Sequence, residues 1–182
     1  NQGDLDCDGV TDLTVVRDGT ANFFPGFRVW HVALSSQGGA IYQAVFGLPG
    51  DEPYTADTDG DGCSELVSLR AGFNWFSKDL FGEDYTQVQW GVPGDIPVLP
   101  ADVNGDGQPE YIVSRPVGGV QVVFIRYSNG LSSGDFLGSA ASIPLVGTFF
   151  GLNNFAWFER AQGLFGVRTP TGAVAAVPFG NA

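Results

Sequence analysis

Three stretches of the chain spell nearly the same acidic loop: Asp4-Leu5-Asp6-Cys7-Asp8-Gly9-Val10-Thr11-Asp12, Asp57-Thr58-Asp59-Gly60-Asp61-Gly62-Cys63-Ser64-Glu65, and Asp102-Val103-Asn104-Gly105-Asp106-Gly107-Gln108-Pro109-Glu110. Side-chain oxygens stand at positions 1, 3, 5 and 9 of each, with glycine at position 6. The candidate ligands are Asp4, Asp6, Asp8 and Asp12, then Asp57, Asp59, Asp61 and Glu65, then Asp102, Asn104, Asp106 and Glu110. Such hard-oxygen cages suit Ca²⁺, which takes six to eight oxygens at roughly 2.3–2.6 Å, so three calcium sites are expected. The loops also recur after 53 and then 45 residues. The feature that selects a metal therefore also sets a structural period, and a period of that size restricts the fold to a repeat array.

An arginine follows each loop at a fixed offset. Arg17, Arg70, Arg115 and Arg160 close short runs, Leu13 to Val16, Leu66 to Leu69, Tyr111 to Ser114 and Ala156 to Glu159, that read as strands. Glycine-containing turns lead to second strands at Phe27 to Leu34, Phe73 to Phe76, Val120 to Tyr127 and Leu164 to Arg168. Third strands end in aromatic–glycine pairs, Phe46-Gly47, Trp90-Gly91 and Phe179-Gly180, two of them followed by the Pro-Gly-Asp turns at 49–51 and 93–95. A fourth short strand then feeds the next acidic loop.

Four strands per repeat, four times over, is the pattern of propeller blades. The expected architecture is all-β: a β-propeller-like array of four four-stranded blades in a single domain, 1–182, with repeats at about 1–53, 54–98, 99–143 and 144–182. The first repeat is longer by eight residues, read as an insertion around Asp18 to Pro25. Aligned on Arg160, the fourth loop, Gly147 to Phe155, keeps its length but has Gly, Phe, Gly and Phe at the four ligand positions. It is expected to bind no metal and to be packed by aromatics.

These repeats resemble the FG-GAP/VCBS family of calcium-binding β-propeller repeats, the type found in integrin α-subunit heads. The likeness rests on the Asp-x-Asp-x-Asp-Gly loops, the strand ending in Arg, and the Phe46 to Pro53 and Trp90 to Pro97 segments. It covers residues 4 to about 115 well and the remainder weakly. It implies four-stranded blades and a Ca²⁺ held in each hairpin loop, the position-7 ligand being a backbone carbonyl, here of Val10, Cys63 or Gln108. Family propellers usually close with about seven blades, and this chain supplies four. The rival loop type, the EF-hand, wants a bidentate Glu at position 12 between helices; position 12 here is Val15, Ser68 and Val113 in strand-like runs.

Net charge is −12, which argues against nucleic acid or an anionic membrane as partner. Eleven of the 20 acidic residues lie in the three loops, so the acidity reads as metal-site chemistry. No apolar run approaches the length of a membrane helix. The chain holds no methionine, so a cleaved leader or a larger precursor is expected, and modest-affinity calcium loops point outside the cell. Cys7 and Cys63 are the two cysteines, both in calcium loops; an intrachain disulfide, free thiols or intermolecular bridges all remain open.

The single histidine, His31, reads as structural, and there is no nucleophile elbow or zinc-protease motif, so no enzyme is expected. The aromatics Phe23, Phe24, Trp30, Trp75, Phe76, Trp90, Trp157 and Phe158 are read as filling between blades in preference to stacking on sugars. The four arginines are expected to tie blades together through carbonyls or through Asp51 and Asp95. The expected function is an extracellular calcium-stabilised binding, adhesion or scaffold protein, its partner a protein or glycan at the cell surface or another copy of itself. Two alternatives stand beside it: a filament subunit whose blades are completed by strand addition at the chain ends, where the last fourth strand reads as missing, and a carbohydrate-binding propeller.

Overall fold

The computed structural model describes residues 2–149, 152–168 and 174–178. The chain divides into two compact units, 1–93 and 94–182, each holding two sheets. All four sheets are four-stranded antiparallel meanders whose strands neighbour one another in chain order. The first sheet is β1 (Gln2–Gly3), β2 (Asp12–Thr20), β3 (Phe23–Leu34) and β4 (Ala40–Val45). The second is β5 (Glu52–Ala56), β6 (Glu65–Arg70), β7 (Asn74–Lys78) and β8 (Thr86–Gln89). In the second unit, β9 (Ile96–Ala101), β10 (Glu110–Val117), β11 (Val120–Arg126) and β12 (Ser132–Ser139) form the third sheet. The fourth is β13 (Ile143–Phe149), β14 (Leu152–Glu159), β15 (Leu164–Arg168) and β16 (Val174–Pro178). The one helical element among the described residues is a 3-10 turn, Ser35–Gln37.

Among the described residues no sheet closes on itself, so the architecture stands as four all-β meanders. The sheet boundaries differ from the expected repeats: positions 53, 98 and 143 fall inside β5, β9 and β13. The strand assigned as the fourth of each repeat is the opening strand of the next sheet. It is held there because the acidic loop is a connection short enough to fold it back antiparallel on the strand that follows, as in Ala56↔Glu65 and Ala101↔Glu110. The fourth sheet consequently has all four strands: β13 opens it, so it does not lack the C-terminal fourth strand that was expected to be missing from the last blade.

The blank fourth loop is also reassigned. Gly147, Thr148 and Phe149 continue β13 and pair with Asn154, Asn153 and Leu152 of β14, while residues 150 and 151 lie outside the described residues. The acidic loops place Gly9, Gly62 and Gly107 at position 6 with φ of 83°, 92° and 84°. Leu152 stands there in the fourth repeat, and a branched side chain resists that left-handed backbone. Of the aromatics expected to pack this segment, Phe155 joins the core of the second unit; the side chains of Phe149 and Phe150 are not among those described.

The second strand of each of the middle sheets is buried on both faces over a run of five residues, the first five of β6 and the first five of β10. A hairpin stripe that is wet on one side would alternate; a strand covered on both sides does not. In the first unit the core gathers Leu5, Trp30, Val32, Leu34 and Leu66, and in the second Val98, Ile112, Val123, Ile125 and Leu137. Trp30 and Trp75 are fully buried, and each indole N–H donates to the carbonyl of the aromatic that follows its own sheet's fourth strand, Phe46 and Trp90. The Asp18 to Pro25 insertion lengthens the β2–β3 hairpin and leaves Phe23 and Phe24 exposed. Those two rings do not fill the interior as expected.

Two of the four arginines meet the carboxylates expected for them, each in the turn that opens the arginine's own sheet. Arg70 makes a two-pronged contact with Asp51 at 2.9 Å through Nε and 2.9 Å through Nη2, and stacks on Phe76. Asp51 also accepts from Ser68 Oγ and the Leu48 amide; burial pushes its carboxyl up, but the Arg70, Leu48 and Ser68 donors outweigh that and hold it below the usual range. Arg115 repeats the arrangement on Asp95 and Phe124. Arg17 and Arg160 have no such carboxylate partner among the described residues. The fourth sheet inverts the polarity: the acid is Glu159 on the strand, and the turn supplies the donors Ser139 and Ser142. His31 sits in β3 with its Nδ1 3.1 Å from Gln43 Nε2.

Candidate metal centre

Each acidic loop connects the first two strands of its sheet, and its position-9 acid is the first residue of the second strand: Asp12, Glu65 and Glu110. The local fold follows from amide accounting, since a loop this tight must find acceptors for its own N–H groups. The position-1 carboxylate takes the position-6 amide in all three loops, Gly9 N on Asp4 at 2.9 Å, Gly62 N on Asp57 at 3.0 Å and Gly107 N on Asp102 at 3.0 Å. The position-5 carboxylate takes the position-7 amide: Val10 N on Asp8, Cys63 N on Asp61, Gln108 N on Asp106. These bonds wrap the backbone of each loop around its position-1 and position-5 carboxylates.

Oxygens of Asp4, Asp6 and Asp8 lie within 4.8 Å of one another, and so do those of Asp57, Asp59 and Asp61. Three like charges at that range repel unless a cation intervenes, and the donor set is the all-oxygen kind that Ca²⁺ or Mg²⁺ takes. In the third loop Asn104 replaces one carboxylate; its Nδ2 donates to Asp106 at 3.0 Å and to Glu110 at 2.9 Å. The residues at positions 1, 3 and 5 of the first two loops therefore form clusters that could hold a hard divalent cation, whereas in the third Asn104 turns its amide nitrogen toward Asp106 and Glu110.

Position 9 plays a further part that spacing alone did not reveal. Its carboxylate accepts the position-2 amide in every loop: Leu5 N on Asp12, Thr58 N on Glu65, Val103 N on Glu110. All three acids are buried. Asp12 spends its other oxygen on Ser35 N at 2.7 Å, and Glu110 its other on Asn104, so both are braces of the loop neck. The signal was available in hindsight: position 2 is Leu5 in one loop and Val103 in another, and these apolar side chains lie in or against the cores of their units.

Three residues outside the motif join the loops of the first unit. Ser35 and Ser36, in the turn after β3, donate their hydroxyls to Asp8 and Asp6 at 2.8 and 2.5 Å. Asp79, in the turn after β7, places an oxygen within 4.8 Å of Asp59 and Glu65. Cys7 and Cys63 form a disulfide between the first and second loops, and Ser64 N donates to the Asp4 carbonyl at 2.7 Å. Of the position-7 residues named for their carbonyls, the Val10 oxygen accepts from Ser35 Oγ, Cys63 is the disulfide half, and Gln108 is exposed.

Burial pushes the Glu65 carboxyl up to about 7 despite its bonds from Thr58, and Asp59 and Asp57 push in the same direction. Glu110 is raised for the same leading reason. In the metal-free fold Glu65 thus keeps a proton that the unfolded chain releases near 4.5, so the folded state binds more protons across that window and loses stability as pH rises through it. Metal-stripped protein is expected to be more stable to urea at about pH 5 than at about pH 7.5, by up to about 3 kcal/mol. Saturating calcium should reverse the order. Equal stabilities of the stripped protein at the two pH values would contradict this.

Comparison with known proteins finds no matching family model, no similar curated protein and no similar solved structure.

Proposed function

We propose that the chain is an extracellular, calcium-stabilised module of β-propeller type that serves binding, adhesion or scaffolding and does no chemistry. The observation that carries the reading is the pair of aspartate triads, Asp4/Asp6/Asp8 and Asp57/Asp59/Asp61, each converging within 4.8 Å in the loop that joins two strands. Metal there would stiffen the connection between strands and leave the sheet faces for a partner. The Cys7–Cys63 disulfide agrees with an oxidising compartment, and no helix of the described residues is long and apolar enough to cross a membrane. The four meanders in chain order are the units from which blades are built.

One feature favours self-association by strand addition as a second reading. β1 pairs only with Leu13 and Asp12, so among the described residues the β2 edge beyond Leu13 has no strand beside it. Leu13 and Val15 are 61 % and 52 % exposed along it. An open edge of that kind invites a strand from a second copy.

Light scattering together with glycan and matrix-protein arrays, in about 1 mM calcium and again in EGTA, tests both. The first reading expects calcium-dependent capture by at least one arrayed molecule from a monomeric protein. The second expects calcium-dependent oligomers that a Val15→Lys substitution disperses. A monomer that captures nothing in calcium removes both.

A further inference from the structure

We infer that the outer face of the first sheet, built on Leu13, Val15 and Ile41, is a docking surface for the same face of a second copy of the chain. The inference rests on the self-association reading and moves the contact from the edge of β2 to its face.

The pairing register puts two rows of side chains on this face: Leu13, Ala33 and Ile41 in one, Val15, His31 and Gln43 in the next. The opposite face carries Trp30, Val32 and Leu34 and is packed into the core of the first unit. The outer rows meet solvent: Leu13 is 61 %, Val15 52 % and Ile41 62 % exposed. The second sheet shows how the fold treats the same positions when a neighbour is present. Counted from the acid at loop position 9, Leu66 and Ser68 match Leu13 and Val15. They are 0 % and 1 % exposed. Leu66 lies in one cluster with Trp30, Val32 and Leu34, so the cover on this face of the second sheet is another sheet.

Charge, area and symmetry select a second copy as the cover of the first sheet. Its two outer rows hold no acidic side chain, although the chain carries 20 acids and a net charge of −12. Two such faces meet without the like-charge repulsion that acidic surfaces bring. The polar pair within the rows partners itself, His31 Nδ1 lying 3.1 Å from Gln43 Nε2. Three strands about 4.8 Å apart and about 20 Å long present roughly 600 Å² of accessible surface, so a two-fold pairing buries roughly 1,200 Å², the lower end of stable interfaces. The fourth sheet offers no bare counterpart for a head-to-tail contact. Ala156 and Val167, paired on the face opposite Phe155 and Trp157, are buried. One patch used on both copies gives the isologous contact of a closed dimer, two sheets stacked with their apolar side chains interleaved.

Sedimentation velocity of the oxidised protein in calcium, at about 1 and about 100 µM, tests this, since concentration sets the dimer population. Dimers are expected at the higher concentration. Ile41 lies on β4, two strands from the β2 edge. Ile41→Lys is expected to raise the dimer Kd at least about tenfold. The control, Leu131→Lys at a similarly exposed apolar residue of the second unit, should leave it unchanged. At the lower concentration Ile41→Lys should melt with the wild type, because that side chain meets solvent in the monomer. An oligomer that survives Ile41→Lys but is dispersed by Val15→Lys overturns the inference and leaves strand addition at the edge standing. Assemblies that keep growing past the dimer overturn it too. A monomer at both concentrations overturns the inference and self-association together.

Discussion

Moving the protein from millimolar calcium into excess EGTA is expected to lower Tm by roughly 15 °C or more. A ligand that binds only the native state at about a hundred times its Kd stabilises by about 2.7 kcal/mol per site, and three sites add. In a chain of this size each kcal/mol moves Tm by about 2–4 °C. The magnitude follows from where the carboxylates are. Asp4, Asp6 and Asp8 are held together by amides of their own loop, so the triad cannot spread without giving up the bonds from Asp8 N, Gly9 N and Val10 N. Unfolding separates the charges and frees the ion. Scanning calorimetry in calcium, magnesium and EGTA checks this, and a melt that does not depend on the divalent ion contradicts it.

Reduction of the Cys7–Cys63 disulfide is expected to cost about 4 kcal/mol, since the bond closes a span of 56 residues. The bond joins two loops that also share the Ser64 N to Asp4 O hydrogen bond. Gly3 is so close to Ser64 that an added Cβ would stand 2.7 Å from its side chain. A double variant, Cys7→Gly with Cys63→Ser, should recover about 1 kcal/mol of the loss. Cys7 holds φ at 63° at loop position 4, where the other two loops have Gly60 and Gly105. Urea unfolding in calcium of the oxidised, reduced and double-variant proteins measures both quantities. Coincident midpoints for oxidised and reduced protein would contradict the first.

Strand content and strand order were legible because they rest on local chemistry. The Arg17, Arg70 and Arg115 runs are strands, and the acidic loops lie between strands, as their glycines and alternating neighbours required. Asp51 and Asp95 proved to be the partners of Arg70 and Arg115, since a buried acid next to a turn needs a donor and the arginine recurs at a constant distance along the chain. What spacing could not show is which sheet a short strand joins. Glu52–Ala56 reads equally well as the end of one repeat or the start of the next, and only pairing with Glu65–Leu69 decides. The dual use of position 9 was hidden likewise: Asp12, Glu65 and Glu110 fit a ligand pattern, yet each turns inward to hold a main-chain amide. Asp79 and Ser35 were invisible for a different reason, because they reach the loops across a hairpin and carry no motif of their own.

The central claim is that three loops hold calcium and the fourth repeat, paired as the strands Ile143–Phe149 and Leu152–Glu159, holds none. Native mass spectrometry of the intact chain in calcium acetate, after removal of adventitious ions, counts them directly. The account predicts three calcium ions per chain. It predicts two when Asp57, Asp59 and Asp61 are all changed to Asn. A chain that retains no calcium, or one whose count ignores that triple substitution, would contradict it.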